Sequence, residues 1–223
     1  MLIEATDGLR VVRNFLDDRQ VGYWNRIMYY DGFWNRAETQ NNVSAVDLLE
    51  SEALQIDPLI PRNEALLIKK IRRFMSSTYG EDVATDHGIF LEKCSDSFEM
   101  QKHHDHLDSN NDLDFRNNGT RLPRVFNEFA TLLYFNENYE GGELRFDKLD
   151  VTIKPEEGML ITFPCAMQYE HEVLPVVSGA PRLRMSKFWT RIRTLRIAAH
   201  NETFATKIRH SMRYLSSIFP EEA

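Results

Sequence analysis

The sequence predicts an α+β protein whose core is a jelly roll, and three observations carry that expectation. The first eighty or so residues show apolar positions at helical period. After Gly80 the pattern changes to short alternating or apolar runs separated by turn residues. No Gly/Ser-rich or Pro-rich spacer lies between the two regions, so the helices are expected to pack on one outer face of the sheet rather than form a separate body.

In chain order, Leu9 to Phe15 is a short apolar run that reads as an edge strand. Asp17 and Asp18 open a helix with Val21, Trp24 and Met28 on one face. Residues 29–42 are rich in aromatics and amides without a clear period and read as irregular. Ser44 to Asp47 resembles a capping box leading into Leu48, Leu49 and Leu54, and Asp57-Pro58 then breaks the chain. From Pro61 the positions Leu67, Ile71, Phe74, Met75 and Thr78 keep the helical period, and Gly80 supplies the stop. Eight strand-like runs follow: 88–93, 98–105, 129–135, 143–146, 151–154, 159–163, 171–177 and 182–192. Short strands at this spacing indicate a sandwich or barrel of the jelly-roll type. Gly141-Gly142 reads as a tight turn before the strand at Glu143. The polar stretch between Asp105 and Arg124 is long for a hairpin loop and reads as either a lid or a floppy connection. Phe204, Ile208, Met212, Leu215 and Phe219 form one stripe of a final amphipathic helix with a basic opposite face. The expected organisation is therefore a helical support region over 1–84, a core over 85–195 and a C-terminal helix over 196–223.

Composition narrows the function classes. With 42% hydrophobic and 27% charged residues the chain reads as an ordinary globular protein. A formal charge of −7 argues against nucleic acid as the main partner, because binding its backbone needs a basic surface. Cys94 and Cys165 offer neither a disulfide framework nor a zinc spacing and read as small hydrophobes. The opening residues lack a basic region followed by an apolar segment, and no run has the length of a membrane span. The expectation is a cytoplasmic protein with no membrane partner.

Three of the seven histidines, His103, His104 and His106, fall within four positions and are followed by acids. On a strand, side chains alternate between faces, so His103 and Asp105 project together with Gln101 and Glu99 while His104 and His106 project oppositely. An imidazole and a carboxylate two residues apart are two-thirds of the facial triad that holds non-heme Fe(II) with open positions. The bland alternative is a solvated His/Asp-rich loop. His171, at the start of a late run, is the candidate third ligand, and a satisfied core or surface histidine is its alternative. Eleven residues on stands Arg182. A guanidinium inside a barrel must be paired, and its planar fork suits a ligand carboxylate.

Taken together, the pieces His103 to Asp105, Thr131-Leu-Leu-Tyr-Phe-Asn136, Tyr139-Glu-Gly-Gly-Glu-Leu-Arg-Phe146, Lys154 to Pro164, and His171-Glu-Val-Leu-Pro-Val followed by Gly179 and Arg182 resemble the prolyl 4-hydroxylase branch of the Fe(II)/2-oxoglutarate-dependent dioxygenases, over roughly residues 85–195. The resemblance implies a double-stranded β-helix flanked by helices. It implies His103, Asp105 and His171 as iron ligands, Arg182 on the distal carboxylate of 2-oxoglutarate, and Tyr134 as a hydroxyl on that same carboxylate. The cofactor set it implies is Fe(II), 2-oxoglutarate as cosubstrate and O2, with ascorbate as an optional reductant. The implied reaction turns 2-oxoglutarate into succinate and CO2 while hydroxylating an unactivated carbon, with a prolyl residue in a peptide or protein as the leading substrate. A free amino acid or other small molecule, and a non-catalytic binding module on the same scaffold, are the alternatives. His106-Leu-Asp108 is a second His-x-Asp, set aside because it falls in the polar run past the strand. The interval from His171 to Arg182 is one residue longer than the branch's usual nine or ten, so a residue such as Pro181 must be absorbed in the turn. Arg184, on the same strand face and paired with Ser186 as Arg-x-Ser, is the alternative cosubstrate residue. The acid at Asp105 favours hydroxylation over halogenation, since family halogenases lack it.

Overall fold

The computed structural model describes residues 2–30, 34, 38–40, 43–47, 57–80, 82–84, 90–95, 97–105 and 127–191. The polar stretch beyond Asp105, including His106 and Asp108, and the C-terminal helix expected over 196–223 lie outside them. Fifteen strands and two α-helices follow in order: β1 Leu2–Thr6, β2 Leu9–Arg13, α1 Asp18–Met28, β3 Glu38–Gln40, β4 Val43–Asp47, α2 Ile60–Tyr79, β5 Val83–Ala84 and β6 Phe90–Cys94. They continue with β7 Met100–His103, β8 Phe129–Tyr134, β9 Tyr139–Gly141, β10 Leu144–Phe146, β11 Val151–Ile153, β12 Leu160–Pro164, β13 His171–Val173, β14 Val176–Gly179 and β15 Arg182–Arg191.

The strands form an antiparallel nine-stranded sheet in the order β1-β2-β12-β8-β15-β6-β4-β3, with β5 added on β15. A four-stranded sheet, β11-β10-β13-β7, faces it, and β14 pairs with β9 in a small ribbon. Two packed sheets with helices on one outer face make the expected α+β architecture. The helices cover one side of the large sheet: Val21, Trp24, Ile27, Ile68, Ile71 and Met75 share a core with Leu133, Leu160, Leu183, Met185 and Trp189. A second core fills the space between the sheets, drawing Leu132 and Tyr134 from β8, Ile161 and Phe163 from β12, Leu144 and Phe146 from β10, and Val173 from β13. The period-2 alternation of strands explains the split. On β15, Leu183, Met185 and Trp189 face the helices, which turns Arg182 and Arg184 toward the space between the sheets. Strand β8 is buried at every position because both its faces are covered.

The helices start and stop where their residues dictate. Asp17 accepts a hydrogen bond from Gln20 N at 2.8 Å, and the Gln20 side chain reaches back to Asp17 N, a complete capping box. Gly80 ends α2 at φ +68°, a conformation open to glycine at little cost.

Five sequence expectations are corrected. The described part of the first 84 residues, expected as helical support, holds five strands beside its two helices. Leu9–Arg13 is not an edge strand, because β2 lies between β1 and β12. Ser44 to Asp47 is strand β4 rather than a helix cap, since pairing along β6, with Val46 opposite Leu91, overrides a local capping pattern. Likewise β3 falls inside 29–42, which reads as irregular in sequence. The run 171–177 is two strands, β13 and β14, interrupted at Leu174-Pro175. Among the described residues no helix is long and apolar enough to cross a membrane.

Candidate metal centre

Two histidines 68 positions apart in the chain meet because their strands pair: β13 runs antiparallel to β7 with His171 directly opposite His103. Their rings lie 4.4 Å apart between centroids, tilted by 55°. Strand β7 ends at His103, so Asp105 stands just past the strand end and not within it. Its carboxylate still turns toward the pair. Asp105 Oδ1 lies 3.8 Å from His103 Nε2, and Oδ2 lies 4.0 Å from His171 Nε2. The three donor atoms fall within 4.8 Å of one another.

Both imidazoles are held the same way. His103 Nδ1 lies 2.8 Å from Gln101 O and His171 Nδ1 lies 2.9 Å from Tyr169 O. A carbonyl can only accept, so each Nδ1 carries the hydrogen and each Nε2 presents its lone pair inward. That is how ligating histidines are oriented at metal sites. His171 is buried against Phe163 at 4.9 Å and Phe146 at 5.3 Å between ring centroids. Burial lowers its proton affinity, with His103 working the same way and Asp105 against, which favours the neutral ligand form. Burial first, then Asp105 and Glu128, pushes the Cys165 thiol well up, so it stays a protonated neighbour and not a thiolate. Two imidazoles and one carboxylate on one side of a site suit Fe(II).

Behind the metal cluster the large sheet presents Arg182 and Arg184 on one face of β15. Their circumstances differ. Arg184 Nε is bonded to the Glu92 carboxylate from β6, its partner in the ladder. Burial alone would weaken its hold on the proton, but Glu92 reverses this and the net shift is upward. Arg182 is fully buried and has no carboxylate partner among the described residues. Its Nη1 donates to Gly142 O at 2.9 Å, Nη2 approaches Cys94 Sγ at 3.8 Å, and Nε has no partner among the described residues. The guanidinium lies 5.3 Å from the Phe98 ring and 5.8 Å from that of Tyr134. The Tyr134 hydroxyl, completely buried, also lacks a partner among the described residues. Buried polar groups are almost always satisfied. A cation and a neighbouring hydroxyl, both buried and left open among the described residues, fit an anionic carboxylate.

Ala180-Pro181 join β14 to β15 just before Arg182. Asn136 straddles this point: its Nδ2 donates to Pro181 O at 2.9 Å and its Oδ1 accepts from Leu183 N at 2.8 Å. The side chain thus extends the β8–β15 ladder past its last residue pair, Arg184 with Tyr134, and pins the backbone on both sides of Arg182. Sequence reading picks out His103, Asp105, His171, Arg182, Arg184 and Tyr134, and the structure gathers all six into the space between the sheets or at its rim. It misses Glu92 and the bracing amide of Asn136. Glu92 carries no motif; only its alternation with Cys94 along the run 90–94 hints at an inward carboxylate.

Fold and site together define a class. Residues 89–191, just under half of the chain, match the family model of the 2OG-Fe(II) oxygenase superfamily, a match that supports an oxidoreductase of the dioxygenase kind working with Fe(II), 2-oxoglutarate and O2. Among solved structures it is similar to a collagen prolyl hydroxylase from Paramecium bursaria Chlorella virus-1 in its 2OG complex, at 18% identity and a TM-score of 0.59 over 83% of this chain and 96% of that one. It is similar as well to a Pseudomonas putida prolyl-4-hydroxylase, at 21% identity and a TM-score of 0.56 over 83% and 94%. A third is a prolyl hydroxylase from Trichoplax adhaerens in complex with a hypoxia inducible factor oxygen degradation domain peptide fragment, at 14% identity and 0.55 over 84% and 86%. At these identities the likeness is one of fold. Human prolyl 3-hydroxylase 2 is 35% identical over 60 residues, a match that spans 25% of this chain and 8% of that protein's length.

Proposed function

We propose that this chain hydroxylates an unactivated carbon of a prolyl residue in a peptide or protein, releasing succinate and CO2 from 2-oxoglutarate. The observation that carries the reading is the joint arrangement of His103, Asp105 and His171, donors turned inward, with a buried Arg182 behind them that has no carboxylate partner among the described residues. In this reading His103, Asp105 and His171 hold the iron, and Arg182 with Tyr134 holds the distal carboxylate of 2-oxoglutarate. Arg184 is excluded from that role because Glu92 already neutralises it. Bound iron with 2-oxoglutarate and O2 supplies the oxidising power and one oxygen atom for the substrate carbon. The protein's own part is orientation. The Gln101 and Tyr169 carbonyls fix the imidazole tautomers, Phe146 and Phe163 keep water from His171, and Asn136 holds Arg182 in register. A prolyl substrate is supported by the prolyl hydroxylases among the fold neighbours and by the short match to a prolyl 3-hydroxylase.

The test is turnover with Fe(II) and 2-oxoglutarate against a panel of Pro-containing peptides and free amino acids. Succinate should appear in step with a hydroxyprolyl product of a peptide. Succinate coupled only to a free amino acid would move the substrate class, and no iron-dependent succinate with any substrate would overturn the reading.

A further inference from the structure

The pocket around Arg182 contains a third open polar group. Tyr139, on β9, is 3% exposed, and its hydroxyl is buried with no partner among the described residues. Its ring is not placed there by chance packing alone, because Gly142 connects it to Arg182. A Cβ on Gly142 would stand 3.2 Å from Tyr139 Cε2 and 3.5 Å from Arg182 Cδ, so ring and guanidinium stem press on the same α-carbon. The Gly142 carbonyl is the acceptor that holds Arg182 Nη1. Burial pushes the Tyr139 hydroxyl's proton affinity far up, Tyr134 adds to this and Arg182 opposes it, so the hydroxyl stays a donor. A purely apolar role would be served by phenylalanine, which leaves no orphan hydroxyl.

We infer that Tyr139 is a further cosubstrate-binding residue, its hydroxyl donating to the same distal carboxylate as Arg182 and Tyr134. A carboxylate accepts about four hydrogen bonds and donates none. The open groups here are two hydroxyls and the Nε–H of Arg182. Glu92, the acid that would compete for them, is committed to Arg184. The inference rests on the proposed 2-oxoglutarate reading of the site.

Tyr139→Phe tests it by equilibrium binding rather than turnover. With the protein loaded with Mn(II) under anaerobic conditions, calorimetry should show the 2-oxoglutarate Kd raised about tenfold, the loss expected for one hydrogen bond to a charged group. The Kd for 2-oxopentanoate, which lacks the distal carboxylate, should stay within twofold. The melting temperature without ligand should be unchanged or higher, because the variant removes an unsatisfied buried hydroxyl. A 2-oxoglutarate Kd within twofold of wild type overturns the inference, as does a lowered ligand-free melting temperature with equal losses for both oxo acids, which would mean the hydroxyl is bonded within the protein. Arg182→Ala separates this from the parent reading. If that variant loses 2-oxoglutarate and Tyr139→Phe does not, only the inference fails; if wild type itself does not bind 2-oxoglutarate, the functional reading fails first.

Discussion

Each imidazole of the His103–His171 pair spends its Nδ1 hydrogen on the carbonyl two residues before it, so orientation is built into the local strand geometry. Replacing any of the proposed ligands His103, Asp105 or His171 by Ala should therefore remove bound iron, read as metal stoichiometry, and cut turnover by more than about 100-fold, beyond what outer-shell changes cost. His106→Ala should keep both. The two arginines separate as sharply. Arg182→Ala should raise the 2-oxoglutarate requirement about 30-fold or more, the cost of truncating one side of a buried charge contact, seen as KM with a smaller change in kcat. Glu92→Ala should instead destabilise the fold by about 3–5 kcal/mol in urea unfolding, because Arg184 would remain buried without its counter-charge. The ligand candidates were legible because His-x-Asp, a later His and an Arg have a recognisable chemistry. Whether Arg182 or Arg184 is open was not legible, since the deciding residue, Glu92, lies ninety positions earlier on a strand with no motif.

Among elements, β15 carries the most structure: one face builds the helix-side core and the other supplies both arginines. Its start is fixed from β8 by Asn136, and β8 in turn is tied to α1, whose Asn25 donates to Phe135 O at 2.7 Å. Asn136→Ala should lower stability by about 1–3 kcal/mol by leaving buried backbone groups unsatisfied, and should also raise the 2-oxoglutarate KM because Arg182 loses its bracing. Intact KM in the folded variant would show that the strand holds its register without the amide. The turn at Gly141 is equally constrained. Its φ is +78°, and a Cβ there would collide with the Pro175 carbonyl oxygen, so Gly141→Ala should cost upwards of about 1–3 kcal/mol in thermal or urea unfolding. Most strands after Gly80 were legible because turn residues frame them. Before it β2 was legible as an apolar run, but β4 takes its strand character from β6, a long-range partner that no local window contains, and β3 pairs in turn with β4.

At the scale of the molecule, the family match starts at residue 89 but the large sheet does not. Strand β12 pairs on one side with β8 and on the other with β2, with Leu160 opposite Val12. A fragment confined to 89–191 would leave that edge unpaired and apolar, and light scattering should find it aggregated where the full chain is not. Ligands should act on the whole in the other direction. Metal and 2-oxoglutarate at about 100 times their Kd should each add about 2.7 kcal/mol to unfolding, and a chelator should remove the first contribution. A melting temperature indifferent to both would argue against a built site.

The β2–β12 pairing also sets a schedule for the growing chain. Val12 leaves the ribosome 148 residues before Leu160, its eventual neighbour. At translation speeds of about 5–20 residues per second that is a wait of roughly 7–30 s. During it Leu9, Val11 and Val12 have only β1 to pair with, and they and Phe15 lack the core that will bury them. Contacts so distant in sequence also close slowly once both ends exist. Strand β2 is thus made long before it can reach its place, and it is there that a nascent chain would need the shelter of a chaperone.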